Sequence, residues 1–110
     1  MLLHEFLTIP IIPGGIPLKA FNEVRMIRIS DDFINKSYES INKVKMYNPI
    51  RDEYIYGLAY SGITVLDPQM AAKLKAELLS YFDESECCRM LITLLSKAVE
   101  KNMYIIHFGI

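Results

Sequence analysis

Residues 53–66 read Glu-Tyr-Ile-Tyr-Gly-Leu-Ala-Tyr-Ser-Gly-Ile-Thr-Val-Leu, and this stretch decides the fold class. Residues 53–60 are rich in aromatic and branched side chains, which is typical of a β-strand. Residues 63–66 form a second such run, and Ser61-Gly62 between the two suits a tight turn. The pattern therefore predicts a β-hairpin. Side chains alternate along a strand, so one face of its first strand carries Tyr54, Tyr56, Leu58 and Tyr60.

Two helices are predicted after this hairpin. Asp67-Pro68 is typical of a helix start, because aspartate caps the first turn and proline fits the first helical position. Apolar residues then recur at helical spacing, and the acidic run 83–86 separates the first helix from the second. The first apolar stripe consists of Met70, Leu74, Leu78 and Tyr81/Phe82. The second stripe consists of Cys87, Leu91, Leu94, Leu95 and Ala98.

Strands are also predicted near both ends of the chain. Residues 2–9 are apolar with one interruption, residues 23–30 are enriched in Val, Met and Ile, and both segments are expected to be strands. Residues 10–17 contain three prolines and two glycines and are expected to be a loop. The apolar run 103–110 is expected to lie inside the sheet, buried on both faces. Asn48-Pro49 predicts a turn.

Residues 31–47 admit two interpretations. Ser30, Asp31 and Asp32 offer capping oxygens, and apolar residues follow at helical spacing, which favours a helix over residues 32–43. The many Asn and Ser residues there are indifferent helix formers, so an irregular or extended segment is the alternative. The fold class follows from the other elements. We expect one α+β domain over residues 1–110, with a mainly antiparallel sheet of four or five strands, a C-terminal helical hairpin packed on one face, and a final C-terminal strand.

Composition excludes several function classes. Twelve basic and thirteen acidic residues give a formal net charge of −1. Nucleic-acid binders and proteins held on anionic membranes need basic clusters, which this sequence lacks, so neither partner is expected. The N-terminal residues have no basic region ahead of their apolar stretch, so the expected location is the cytoplasm.

Residues that carry chemistry are scarce. His4 and His107 lie on apolar strands without neighbours at metal-ligand spacing, so we expect satisfied sheet histidines and neither a metal nor a cofactor. Cys87 and Cys88 are adjacent and are expected to be structural. A cysteine–histidine nucleophile pair remains the alternative, since a helix N-terminus favours a thiolate although nearby carboxylates oppose it. Adjacent acids such as Asp31-Asp32, Asp52-Glu53 and Asp83-Glu84 are expected to be caps and solvated turns, with an acidic recognition patch as the alternative.

Tyrosine is the enriched residue type, with seven in the chain. If the face carrying Tyr54, Tyr56 and Tyr60 belonged to the core, each hydroxyl would need a buried partner. If that face is open, the row suits a protein interface, where aromatic side chains anchor binding. A third interpretation is that the rings are partly exposed and pack beneath loops.

The chain resembles the small immunity proteins that bacteria pair with polymorphic or contact-dependent growth-inhibition toxins. The resemblance is one of type. It rests on the compact α+β character, the scarcity of catalytic residues, and the segments Asp52-Glu53-Tyr54-Ile55-Tyr56 and Asp83-Glu84-Ser85-Glu86. It implies a cognate protein toxin as partner, neutralised by covering its active or substrate-binding surface. The near-neutral charge departs from the more acidic inhibitors of basic nuclease toxins.

The expected function is thus non-catalytic protein binding. The candidate contact residues are Asp52, Glu53, Tyr54, Tyr56, Asp83, Glu84 and Glu86. One alternative is a structural subunit that self-associates through a sheet edge or the tyrosine face. Another is a small enzyme that uses Cys87, Cys88 or His107.

Overall fold

A computed structural model describes residues 2–10, 26–81 and 83–110. Their elements follow in the order β1 (Leu3–Pro10), β2 (Met26–Ser30), α1 (Asp31–Lys36), α2 (Tyr38–Ile41), β3 (Lys45–Asn48), β4 (Glu53–Tyr56), β5 (Ile63–Leu66), α3 (Pro68–Tyr81), α4 (Glu86–Lys101) and β6 (Met103–Phe108). The strands form one six-stranded sheet in the order β2-β1-β6-β5-β3-β4. Every pairing in it is antiparallel, so the α+β prediction is confirmed.

The core lies between one face of the sheet and the long helices. Alternate residues on β1, β5 and β6 point to this side, among them the fully buried Phe6, Leu66 and Ile105. The helices oppose them with buried residues at helical spacing, namely Ala71, Leu74 and Leu78 of α3 and Cys88, Leu91, Leu94, Leu95 and Ala98 of α4. We call the other side of the sheet, which no described helix covers, the open face.

Both long helices begin where the sequence places them. Asp67 accepts a hydrogen bond from the Met70 amide at 2.8 Å, so it caps α3. The Ser85 hydroxyl accepts from the Cys88 amide at 3.2 Å and caps α4. The predicted stripe of α4 holds with one change. Cys88 is fully buried in the core, whereas the neighbouring Cys87 thiol on the same helix points only partly inward.

The predicted hairpin between residues 53–60 and 63–66 is wrong. The first strand ends at Tyr56, and β4 pairs with β3, a strand that the sequence pattern did not predict. The backbone leaves the strand at Gly57, which has a φ of 87° and whose amide donates to Val44. Strand β5 pairs with β3 and β6 instead. The turn that β4 uses is the predicted Asn48-Pro49 turn, where the Asn48 side chain accepts from the Ile50 and Arg51 amides at 3.0 and 3.2 Å.

The other segments follow the sequence more closely. The predicted helix over residues 32–43 consists of two short helices, separated at Ser37, whose hydroxyl donates back to the Phe33 carbonyl at 2.7 Å. Strand β6 lies in the centre of the sheet, between β1 and β5, as expected. Its burial on both faces is incomplete, since Tyr104 on the open face is 39% exposed. The strand prediction for residues 23–25 and the loop prediction for residues 11–17 lie outside the described residues.

Candidate functional site

Two groups of polar aromatic side chains stand out in the fold, one buried and one exposed. The buried group, which we call the histidine cluster, consists of His4, His107, Thr64 and the mostly buried Asp31, with the Tyr60 ring, which is 51% exposed, at its margin. His4 Nδ1 and His107 Nε2 are 2.8 Å apart, although 103 residues separate them in sequence. His4 Nε2 lies 2.9 Å from Asp31 Oδ1, and His107 Nδ1 lies 3.3 Å from Thr64 Oγ1. The cluster therefore ties β1, β5 and β6 to the start of α1.

Hydrogen-bond direction in the cluster follows from its two ends. A carboxylate only accepts, so His4 Nε2–H donates to Asp31, and the neutral His4 ring then accepts at Nδ1. His107 Nε2–H is the donor to that nitrogen, which leaves His107 Nδ1 to accept from the Thr64 hydroxyl. Thr64 Oγ1 in turn accepts from the Ala59 amide at 2.8 Å. Every ring nitrogen is thus satisfied with both histidines neutral.

Charge in the cluster is concentrated on Asp31. The hydrogen bond from His4 lowers the pKa of the Asp31 carboxyl, and further bonds from Tyr60 and Asn35 act in the same direction. Burial lowers the pKa of His107 to about 3, with a smaller contribution from the neighbouring His4. Burial and the bond to Asp31 raise the pKa of the Tyr60 hydroxyl. The cluster is therefore built around the Asp31 carboxylate, with the His107 imidazole uncharged near neutral pH.

This arrangement suits structure better than acid–base chemistry. A general base needs a lone pair directed at its substrate, and both lone-pair nitrogens of the histidines are already occupied. The cavity beside His4 and Tyr60 measures about 70 Å³, well below the roughly 300–1,000 Å³ of ordinary ligand pockets. The cluster thus matches the expectation of satisfied sheet histidines.

The cysteines stay apart from the histidines in the hydrogen-bond network. Cys87 is half-buried, with its sulfur 3.8 Å from the Ser30 hydroxyl. Burial raises the pKa of the Cys88 thiol, which disfavours the thiolate. No group of three or more His, Cys, Asp or Glu in the described part of the chain is arranged to hold a metal ion.

The exposed group lies on the β3–β4 hairpin. We call this surface the tyrosine hairpin and define it by Tyr47, Tyr54 and Tyr56, with the acidic Asp52 and Glu53 beside them. The cross-strand register pairs Tyr47 with Tyr54, so both rings point to the open face together with Tyr56. Tyr54 is 60% exposed and Tyr56 is 67% exposed. The open alternative for the tyrosine face therefore applies to these two residues. Tyr60 is also exposed (51%), but it lies outside the strand, and its hydroxyl donates to Asp31 of the histidine cluster.

Local contacts hold two of the rings of the hairpin, Tyr47 and Tyr54, in place. Tyr47 and Tyr54 meet edge to face, with centroids 5.3 Å apart. The Lys45 ammonium lies over the Tyr54 ring, 5.5 Å from its centroid. The Tyr47 hydroxyl donates to Asp52, and this bond raises the pKa of the tyrosine. An ordered aromatic surface loses little conformational entropy when a partner binds.

A cleft adjoins the hairpin on the open face. Its volume is about 280 Å³, and it is lined by Tyr47, Tyr54, Val65, Asp67, Met70 and Tyr104. Most of the lining is aromatic or aliphatic, and the Asp67 carboxylate is engaged in capping α3. The cleft is large enough for a side chain of a partner to enter. Sequence reasoning missed Tyr47, because the strand that contains it was not foreseen, and Tyr104, because its strand was expected to be buried on both faces.

The second candidate group lies at the other end of α3. Asp83, Glu84 and Glu86 follow the C-terminal end of this fourteen-residue helix, whereas the cleft lies at its N-terminal end. A helix of that length spans about 21 Å. Asp83 accepts hydrogen bonds from Ser85 that close the turn before α4, and these bonds lower the pKa of the Asp83 carboxyl. The two groups therefore do not form one continuous site.

Comparison of the chain with protein-family models, with curated proteins and with solved structures finds no match. Within residues 2–10, 26–81 and 83–110, no helix combines the length and apolar character needed to cross a membrane.

Proposed function

We propose that this chain is a protein-binding domain that acts as the immunity protein of a bacterial toxin in the cytoplasm. The observation that carries the proposal is the tyrosine hairpin, where two neighbouring tyrosines are more than half exposed on an ordered strand. Isolated exposed apolar residues are ordinary, but a contiguous aromatic surface is typical of an interaction site. The identification of the partner as a toxin rests on the resemblance to immunity proteins described above.

The hairpin supplies both kinds of group that a tight inhibitor uses. Tyrosine is enriched among residues whose truncation costs about 2 kcal/mol or more of binding free energy. Asp52 and Glu53 are exposed beside the rings, and acidic groups at the edge of an interface accelerate encounter with a basic partner. The Glu53 carboxylate is paired with Arg51, whose guanidinium lies 3.5 Å away. Asp52 therefore contributes more than Glu53 to the electrostatic attraction of a basic partner.

Neutralisation would follow from occlusion. A toxin that acts on nucleic acid, nucleotide or protein needs an open active site. A partner that bound here through its active or substrate-binding surface, filling the cleft beside Tyr54 and covering Tyr56, would have that surface blocked. The open face continues across the sheet through the half-buried Val65 and Ile106, which extends the surface available for contact.

The direct test pairs the protein with the toxin domain encoded next to its gene. Co-expression should restore growth of cells that make the toxin, and isothermal titration should give a stable complex. The double variant Tyr54→Ala/Tyr56→Ala should raise the dissociation constant by about 100-fold or more and abolish protection.

The matched control is Tyr38→Ala. Tyr38 is 60% exposed, the same as Tyr54, but it lies on α2. This variant should protect as well as the parent chain. An unrelated gene neighbourhood would contradict the immunity function, and full protection by the double variant would exclude the tyrosine hairpin as the contact surface.

The acidic turn before α4 is tested separately. If the charge-reversal variant Glu84→Lys/Glu86→Lys removes protection while the tyrosine double variant retains it, the contact surface lies at that turn. The hairpin would then be excluded as the binding surface, and the immunity function would stand.

A further inference from the structure

The two edges of the sheet differ in how well they are protected against pairing with another strand. Strand β2 forms one edge and carries Arg28 at its centre, where the guanidinium contacts Glu5 at 3.4 Å. Strand β4 forms the other edge, and its centre is Tyr54-Ile55-Tyr56 without a charge or a proline. Natural sheets commonly guard their edges with charged residues, prolines, bulges or very short strands. The centre of β4 has no charge, proline or bulge, and the shortness of the strand, four residues, limits how far a partner strand can pair with it.

The pairing of β4 with β3 shows which backbone N–H and C=O groups of β4 point away from the sheet. The Gly57 amide donates to Val44, so residues 57, 55 and 53 direct their backbone groups toward β3. The N–H and C=O groups of Tyr54 and Tyr56 alternate with these and point away from the sheet. No strand within the described residues pairs with this side.

We propose that β4 pairs with β4 of a second copy of this chain, in antiparallel register about a two-fold axis at Ile55. In this register Tyr54 faces the partner's Tyr56, and each pair exchanges both of its backbone hydrogen bonds. The same surface serves both copies, as a two-fold interface requires. The two sheets then join into one.

Side-chain chemistry favours this register. Tyr54 and the partner's Tyr56 stand directly opposite each other on the open face, an aromatic cross-strand pair of the kind that stabilises sheets. Glu53 faces the partner's Gly57, and Asp52 faces the partner's Leu58. In this register, therefore, no like charges face each other. A register shifted along the strands would not guarantee this.

The dimer goes beyond the proposed function and does not depend on it. Backbone pairing leaves the tyrosine rings on the open face, so two tyrosine hairpins would lie side by side in one surface. The interface is short because Gly57 ends the strand, so we expect weak association, with a dissociation constant on the order of 100 µM.

Analytical ultracentrifugation in reducing buffer tests the association from roughly 5 to roughly 500 µM protein. A reversible monomer–dimer equilibrium is expected. Tyr54→Pro removes one outward N–H and should abolish the dimer, whereas Tyr54→Ala keeps the N–H and should weaken it by roughly tenfold or less. Circular dichroism and thermal unfolding check that the proline variant is folded. A strict monomer over the whole range, or loss of dimer that is equal in both variants, would overturn the proposal.

A cross-linking experiment tests the register without relying on the proline variant. In a Cys87→Ser background, Ile55→Cys should form a disulfide between copies under mild oxidation, because opposed residues in a non-hydrogen-bonded pair have Cα atoms about 4.5 Å apart. Glu53→Cys is the matched control, since residues 53 of the two copies would lie about 14 Å apart along the strands. Equal cross-linking at both positions, or none at position 55, would exclude this pairing.

Discussion

The histidine cluster and the tyrosine hairpin belong to the same sheet, yet they use polar aromatic side chains in opposite ways. In the cluster, His4 and His107 are fully buried, and each ring nitrogen has a partner within the fold. In the hairpin, Tyr54 and Tyr56 are more than half exposed, and no hydrogen bond to another side chain engages their hydroxyls within the described residues. Polar groups that are fully satisfied inside the protein specify the fold, whereas those left open are available to another molecule.

The largest expected effect is the pH dependence of stability that the cluster causes. Burial lowers the pKa of His107 to about 3 in the folded protein, against 6.5 for an ordinary histidine. The unfolded chain therefore binds a proton below about pH 6.5 that the folded chain refuses until about pH 3. The free energy of unfolding should fall across this interval by an amount on the order of 5 kcal/mol. Urea unfolding at a series of pH values between 7 and 3 measures it.

The control for this experiment is His107→Gln. It lowers stability at neutral pH but removes the titrating group, so its stability should change less steeply between pH 6.5 and 3 than that of the parent chain. An equally steep profile in the variant would assign the acid sensitivity to other groups.

A smaller effect compares two buried threonines on the helix-facing side of the sheet. Thr64→Val removes the hydroxyl that serves both His107 and the Ala59 amide, so it should cost about 2 kcal/mol. Thr8 is equally buried, but its hydroxyl has no partner within the described residues. Thr8→Val should therefore be neutral or stabilise the fold by up to about 1 kcal/mol. Chemical denaturation of both variants at pH 7 decides the comparison, and equal losses would contradict it.

The smallest expected effect is on the stability of the hairpin variants. Tyr56→Ala removes a largely exposed ring and should change the free energy of unfolding by about 0.5 kcal/mol or less. The same variant should weaken partner binding, which separates the two roles. If thermal unfolding shows a loss of several kcal/mol, Tyr56 is a structural residue and the contrast between the two regions fails.

Local chemistry explains which parts of the fold were predictable. Asp67-Pro68 marks the start of α3 through side-chain and ring constraints that act within one turn. Strand pairing is different, because it is decided by residues distant in sequence. Ser61-Gly62 suits a hairpin turn, yet Gly57 ends β4 earlier. A Cβ at Gly57 would lie 2.0 Å from the Asn42 side-chain oxygen, a restriction that only the folded chain reveals.

The same distinction applies to the two sites. The candidate residues of the hairpin lie close together, within residues 52–56, so the shared face of Tyr54 and Tyr56 could be anticipated from alternation. The partners in the histidine cluster lie far apart in sequence. Asp31 lies 27 residues from His4, and His107 lies 43 residues from Thr64. Such contacts leave no spacing pattern in a single sequence, and an isolated histidine on an apolar strand is the only signal.

The central position of β6 has a consequence for how the chain acquires its structure. Strand β6 joins β1 to β5, so without it β1–β2 and β5–β3–β4 are separate pieces with no pairing between them. During translation the strand that unites them is made after all the others described here, and its contacts with β1 span nearly the whole chain. Folding is therefore expected to complete after β6 leaves the ribosome and to be slow for a domain of this size.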